Sequence, residues 1–256
     1  MKSFNKVLLN TLLATTTNSF LWFAITFWMY LETRSVIANA FIGAMYPIFT
    51  GLFGVYFGTY VDHHKKKTAL KLSSTITLVT FLLAGVLYLS APTSALQSVT
   101  HPLFWLFILL IMAGSMAGSL RLIAMSTLVS VLVPEKDHDK ANGRVGVVNG
   151  VSFAVTSVFS GLTISLLGMG WAVGIAIVLT ALTLIHLSTL HFKDTDHSTQ
   201  SETHKKLDFA GALSAIREVP GLSSLIFFSL LNNFLGGAFF ALMDPYGLEL
   251  VSVRNW

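Results

Sequence analysis

The ten residues Gly58 to Lys67, GTYVDHHKKK, join two long apolar runs, 36–60 and 70–91, and carry one carboxylate, two imidazoles and three consecutive lysines. A charged side chain at the bilayer centre costs at least about 2.5 kcal/mol, so a stretch with this much charge belongs in water. Each flanking run is long enough to cross the roughly 30 Å of a hydrocarbon core as a helix. The sequence therefore predicts a polar connector on one side of a membrane, with one spanning helix leading into it and another leading out.

Composition agrees. Hydrophobic residues make up 54% of the chain and charged residues 11%, with a mean hydropathy of +0.71. An ordinary water-soluble domain carries about 25% charged residues. The net charge of +4 does not indicate nucleic acid, because the lysines sit between apolar runs and form no basic stripe. An anionic inner leaflet is the better partner for them. The chain has no cysteine, which excludes a disulfide framework, a thiolate metal site and a cysteine nucleophile.

Seven spans are predicted. The first runs from Val7 to Leu31 after a positive start; a signal-peptide core has only about 7 to 15 apolar residues, so this one is too long to be cleaved as a leader. The second covers Val36 to Tyr60 and the third Leu70 to Leu89, followed by a charge-free loop, Ser90 to His101. The fourth starts near Pro102, where proline suits a first helical turn, and reaches about Val133 before Pro134. After the polar loop PEKDHDKANGR, the fifth spans Ala141 to Leu167, the chain turns at Gly168-Met169-Gly170, and the sixth returns to Phe192. Residues 193–220 form a hydrophilic linker in which Asp208 caps a short amphipathic helix bearing Phe209, Leu213 and Ile216 on one face, with Arg217 near the headgroups. A seventh span runs from Gly221 to Met243 and ends at Asp244-Pro245. The expected organisation is a six-helix bundle over 1–192, a linker over 193–220, and the start of another set of helices over 221–256, which the resemblance described below implies is the truncated start of a second half.

Basic residues accumulate in cytoplasmic loops. With the N-terminus inside, thirteen of the sixteen lysines and arginines fall on the cytoplasmic side; Arg34 and Arg254 fall outside, and Arg121 lies within a span. The expected location is therefore the cell membrane, multi-pass, with a cytoplasmic N-terminus. Within the spans, Gly54 and Gly58, Gly114 and Gly118, Gly146 and Gly150, and Gly170 and Gly174 stand four apart, making flat strips where another helix can approach closely.

GxxxD followed by a basic cluster, between the second and third spans, resembles the signature loop of the major facilitator superfamily. LVPEKDHDKANG, REVPGL and MDPYGLEL further resemble segments of its drug, macrolide and siderophore exporters. The resemblance covers the first seven of the twelve helices of such a transporter. It implies an all-α integral membrane fold, with the six-helix N-terminal bundle, a seventh helix and most of the second half missing. It also implies a conformational-switch loop in which Gly58 permits tight packing between halves and Asp62 engages a helix end or an arginine. His63 stands where an arginine or lysine is usual, Lys65 where a glycine makes the turn, and Lys66 where an arginine is usual. A lysine has no planar fork for a bidentate contact. The fifth span lacks the glycine-proline pair of the family's antiporter signature, with Thr156 and Ser157 near the expected place, so that element does not support proton antiport.

A polar side chain at membrane depth should face a cavity or a partner. Arg121 lies about twelve residues, or roughly 18 Å of helix, before Val133, farther than its stem can snorkel. It should face the bundle interior, with no Asp or Glu deep in any span to meet it. Asn18 in the first span and Asn232 in the seventh are near mid-depth, and the resemblance places their helices around a central cavity. Asn18, Arg121 and Asn232 are the expected lining residues, although hydrogen bonds between helices account for the asparagines equally well. His63 and His64 lack zinc-site spacing, and no metal or cofactor is expected. No GxSxG, HExxH or Walker loop is present, and an enzyme is not expected. The expected function is efflux of small organic molecules by alternating access, with a second half or another copy as partner. The alternative is a truncated remnant that inserts without transporting or acts only through partners.

Overall fold

The computed structural model describes residues 2–191, 214 and 216–250. Its long helices are α1 (Lys2–Thr33), α2 (Val36–His63), α3 (Lys66–Ser90), α5 (Pro102–Leu132), α6 (His138–Leu166), α7 (Met169–Thr189) and α8 (Leu222–Leu250). A single-turn helix, α4 (Thr93–Leu96), lies between α3 and α5, and a 3₁₀ turn, Glu135–Asp137, leads into α6. Five of these stretches are long and apolar enough to cross a membrane: α2, α3, α5, Glu135–Leu166 and α7. Helix α1 has ample length at 32 residues, but Asn5, Lys6, Asn10, Asn18 and a run of threonines dilute its first half. In α8 the apolar stretch among the described residues is Leu222–Gly237.

Three boundaries differ from the sequence reading for identifiable reasons. The polar connector shrinks to His64 and Lys65, because α2 continues through Asp62 and His63 and α3 already starts at Lys66. Side chains near this connector take up carbonyls of the last turn of α2: Lys66 Nζ donates to Val61 O at 2.5 Å, and the His63 and His64 rings lie against Thr59 O and Tyr60 O. Cationic groups there also complement the negative end of the helix dipole. Helix α8 runs through Pro245 where a stop was expected. Its far end is tied to α1 by Tyr30 Oη donating to Glu249 at 2.7 Å and by Arg34 pairing with the same carboxylate at 3.8 Å. The linker's Asp208, Phe209 and Leu213 lie outside the described residues; Ile216 and Arg217 are in helical conformation.

The interior has three levels. One apolar cluster fills the end away from the basic connectors, with Phe20, Leu21, Ile25, Trp28, Phe81, Phe104, Phe107, Ile111 and Val173 among its members. A second fills the basic end, with Phe4, Val7, Val61, Leu70, Leu128, Val129 and Leu187. Between them lies a buried polar layer: Asn10, Thr17, Ser73, Ser74, Thr77, Arg121, Thr180 and Thr183. Helix α1 carries this succession on one stripe, Asn10, Ala14, Thr17, Asn18, Leu21 and Ile25, at the spacing of a single helix face.

The glycine strips divide into two kinds. Gly114 and Gly118 are filled: a Cβ on Gly114 would fall 2.4 Å from Phe81 Cε1, and one on Gly118 would fall 2.2 Å from Asn18 Nδ2. They let α3 and α1 approach α5 so closely that Ser73 Oγ reaches Ala117 O at 2.6 Å and Thr77 Oγ1 reaches Gly114 O at 2.8 Å. By contrast, Gly51, Gly54 and Gly58 on α2, and Gly143, Gly146 and Gly150 on α6, have nothing within 4 Å of an added Cβ.

Candidate functional site

Arg121 is 2% exposed, and its guanidinium ends in the polar layer. Nη1 donates to Asn10 Oδ1 at 2.8 Å and Nη2 donates to Ser74 Oγ at 2.6 Å, while Nε has no partner among the described residues. Both acceptors are neutral. No ion pair with Arg121 occurs among the described residues, so its charge is spread over hydroxyl and amide dipoles. Removing a buried charge from water without a counter-charge is costly, which makes the surrounding layer of oxygens a requirement of the fold.

Beside the guanidinium is a cavity of about 10 Å³ lined by Asn18, Ser73, Ser74, Thr77, Arg121, Thr180 and neighbours. This is room for about one water. Most of its hydroxyls already donate to backbone carbonyls: Ser73 to Ala117, Thr77 to Gly114, Thr17 to Leu13 and Thr180 to Ala176. Having spent their hydrogens on carbonyls, these oxygens keep only acceptor capacity. A larger groove of about 370 Å³ lies between α2, α3 and α5, lined by Phe49, Phe53, Phe57, Ile76, Leu109 and Met112. It is apolar throughout and lacks the few converging polar groups that orient a ligand.

Of the expected lining residues, Asn18 and Arg121 share the small cavity. Asn232 is exposed on α8 and is not brought to it. Its neighbour Asn233 donates to Ser229 O of its own helix at 2.7 Å. In the switch loop, Gly58 is half-buried, Asp62 is exposed and Lys66 is 4% exposed. Lys66 bonds Val61 O and His64 O, so it closes the end of its own hairpin. Lys67 Nζ donates to Leu190 O and ties the same loop to the end of α7. The sequence reading missed Asn10 and Ser74, the two groups that hold Arg121. Asn10 was legible in principle, since it shares a helix face with Asn18 two turns on. Ser74 gave no signal beyond standing next to Ser73 in an apolar run.

The described residues form a bundle of long apolar helices with basic connectors gathered at one end, small-residue strips on its faces and one deep arginine. The chain belongs to the Major Facilitator Superfamily, which it matches over residues 7–253. It is 31% identical over 109 residues to the uncharacterized MFS-type transporter YjbB of Bacillus subtilis (strain 168), a match covering 41% of this chain and 27% of that protein. It also resembles the crystal structure of a bacterial homolog to the human lysosomal transporter Spinster, in an inward-facing and unoccupied conformation. The TM-score is 0.68 at 17% identity, covering 98% of this chain and 57% of that one. At that identity the likeness is one of fold. The chain thus spans little more than half the length of this structural relative, and its 109-residue match covers about a quarter of the curated one.

Proposed function

We propose that this chain forms the N-terminal lobe of a secondary transporter that exports small organic molecules, of drug, macrolide or siderophore-like kind, by alternating access. The observation that carries the reading is Arg121: a guanidinium held at depth on neutral partners, at a small polar cavity between two apolar clusters. An ionisable group at membrane depth is by default a functional-site candidate, even where it also ties helices together. Asn18 and Arg121 line that path, and Asn232 reaches it only when α8 joins a second lobe. The lobe lies in the cell membrane with its N-terminus and basic connectors in the cytoplasm, in line with the lysine and arginine asymmetry. The unfilled glycine faces of α2 and α6 receive that second lobe, supplied by a longer chain or another copy. Gly58 and Asp62 act there as the switch, with Lys66 fixing the hairpin that presents them.

Those same open faces favour a second reading, in which this chain alone inserts and packs but does not alternate. Accumulation of a fluorescent drug in cells expressing the chain, against an empty vector, separates the two. Lowered accumulation that Arg121→Ala restores supports autonomous export; accumulation equal to the vector removes it. Export unaffected by Arg121→Ala would take Arg121 off the path.

A further inference from the structure

The walls of the groove between α2, α3 and α5 are apolar, and the faces that line it continue in sequence toward the basic end of the bundle. On α2, Phe49, Phe53 and Phe57 stand four apart, with successive ring centroids 6.4 and 6.0 Å from one another. At 3.6 residues per turn the same face goes on to Tyr60 and His64, whose rings stack at 4.0 Å. On α3 the face of Ile76 runs back through Leu72 and Thr68 to Lys65. Phe57, Tyr60, Leu72 and Ile123 all pack against the apolar cluster of the basic end, so an apolar track leads from the groove to the connector. At its mouth stand His64 and Lys65, the two residues left outside the helices, both exposed.

The length of this track matches one leaflet. Phe49 stands fifteen positions before His64, roughly 22 Å along the helix. Half of a bilayer about 40–45 Å thick with its headgroups is ~20–22 Å. The open glycine face of α2, with Gly51, Gly54 and Gly58, lies roughly 130° around the helix from the three phenylalanines. A second lobe seated on those glycines therefore leaves the groove to hydrocarbon. The mouth is also cationic: the connector's one carboxylate, Asp62, falls on the glycine side of α2, away from His64 and Lys65. Lipid tails are as apolar as the groove walls, so the hydrophobic effect does not select an occupant there. Close packing along the rings and the charge at the mouth do, and that charge favours an anionic headgroup.

We infer that the groove seats the acyl chain of an anionic phospholipid from the leaflet at the basic end, with its headgroup at His64 and Lys65. The site is separate from the Arg121 cavity, and it binds its lipid whether or not the chain transports.

Native mass spectrometry of the full chain in a mild detergent, titrated with phosphatidylglycerol or with phosphatidylcholine of the same acyl chains, tests this. The wild type should retain one phosphatidylglycerol in preference to phosphatidylcholine. Lys65→Gln removes an exposed charge and should weaken phosphatidylglycerol about fivefold, the change that one lysine near an anionic surface brings, while leaving phosphatidylcholine as it was. Ala113→Leu, at an exposed position on the groove wall, fills the seat of the chain and should weaken both lipids. Equal retention of the two lipids, unchanged by either variant, would show a general lipid coat and overturn the site. A loss in Lys65→Gln with none in Ala113→Leu would reduce it to attraction at the surface and overturn the seat, and the converse would overturn the headgroup contact. A dimer that forms only as bound lipid is lost would give the groove to a second copy and overturn the proposal too. Should Ala113→Leu not fold, Leu109→Trp, exposed on the same wall, fills the groove in its place.

Discussion

Arg121 shows what a single side chain asks of a bundle. Its two neutral acceptors come from different helices, Asn10 of α1 and Ser74 of α3, so the guanidinium on α5 fastens three elements at once. Replacing it with alanine leaves a cavity and two buried polar groups without their partner. Arg121→Ala should destabilise the purified chain by about 2–4 kcal/mol, read as a lower midpoint of thermal unfolding in detergent. Lys66 plays a smaller part of the same kind, with a buried stem and an ammonium on Val61 O. Lys66→Met, which keeps the stem and loses the donor, should cost about 1.5 kcal/mol in the same measurement. The inward orientation of Arg121 was legible in the sequence, because its distance from the helix end exceeds the reach of its stem. Its partners were not, because Asn10 lies 111 positions away and only the folded crossing brings the two together.

At the scale of the element, helix existence and order followed from apolar run length, and Pro102 marked the start of α5 as expected. Helix ends were less legible. The connector between α2 and α3 reads as a charged loop between spans ending at Tyr60 and starting at Leu70, yet side-chain donors close the last turn and leave only His64 and Lys65 outside the helices. Pro245 reads as a stop, yet contacts from Glu249 to Tyr30 and Arg34 hold α8 beyond it. The glycine strips are alike in sequence and unlike in use. Gly114→Ala drives a methyl to 2.4 Å from the Phe81 ring and should destabilise by about 1–3 kcal/mol. Gly150→Ala meets nothing within 4 Å and should leave this chain unchanged or slightly more stable, since alanine is the better helix former. Comparing the two variants by thermal unfolding separates strips already in use from strips facing open space.

In the whole molecule a polar layer lies between two apolar clusters, and the basic connectors gather at one end of the bundle, which predicts that they share one side of the membrane. The absence of cysteine makes that directly measurable, because any introduced thiol is the only one present. Two exposed positions lie at opposite ends: Thr68 in the first turn of α3, beside the lysine cluster, and Ser94 in α4. Thr68→Cys and Ser94→Cys, labelled in intact cells with a membrane-impermeant maleimide, should give label on Ser94→Cys alone. Thr68→Cys should react only after the cells are permeabilised. Label on Thr68→Cys from outside intact cells would contradict the account.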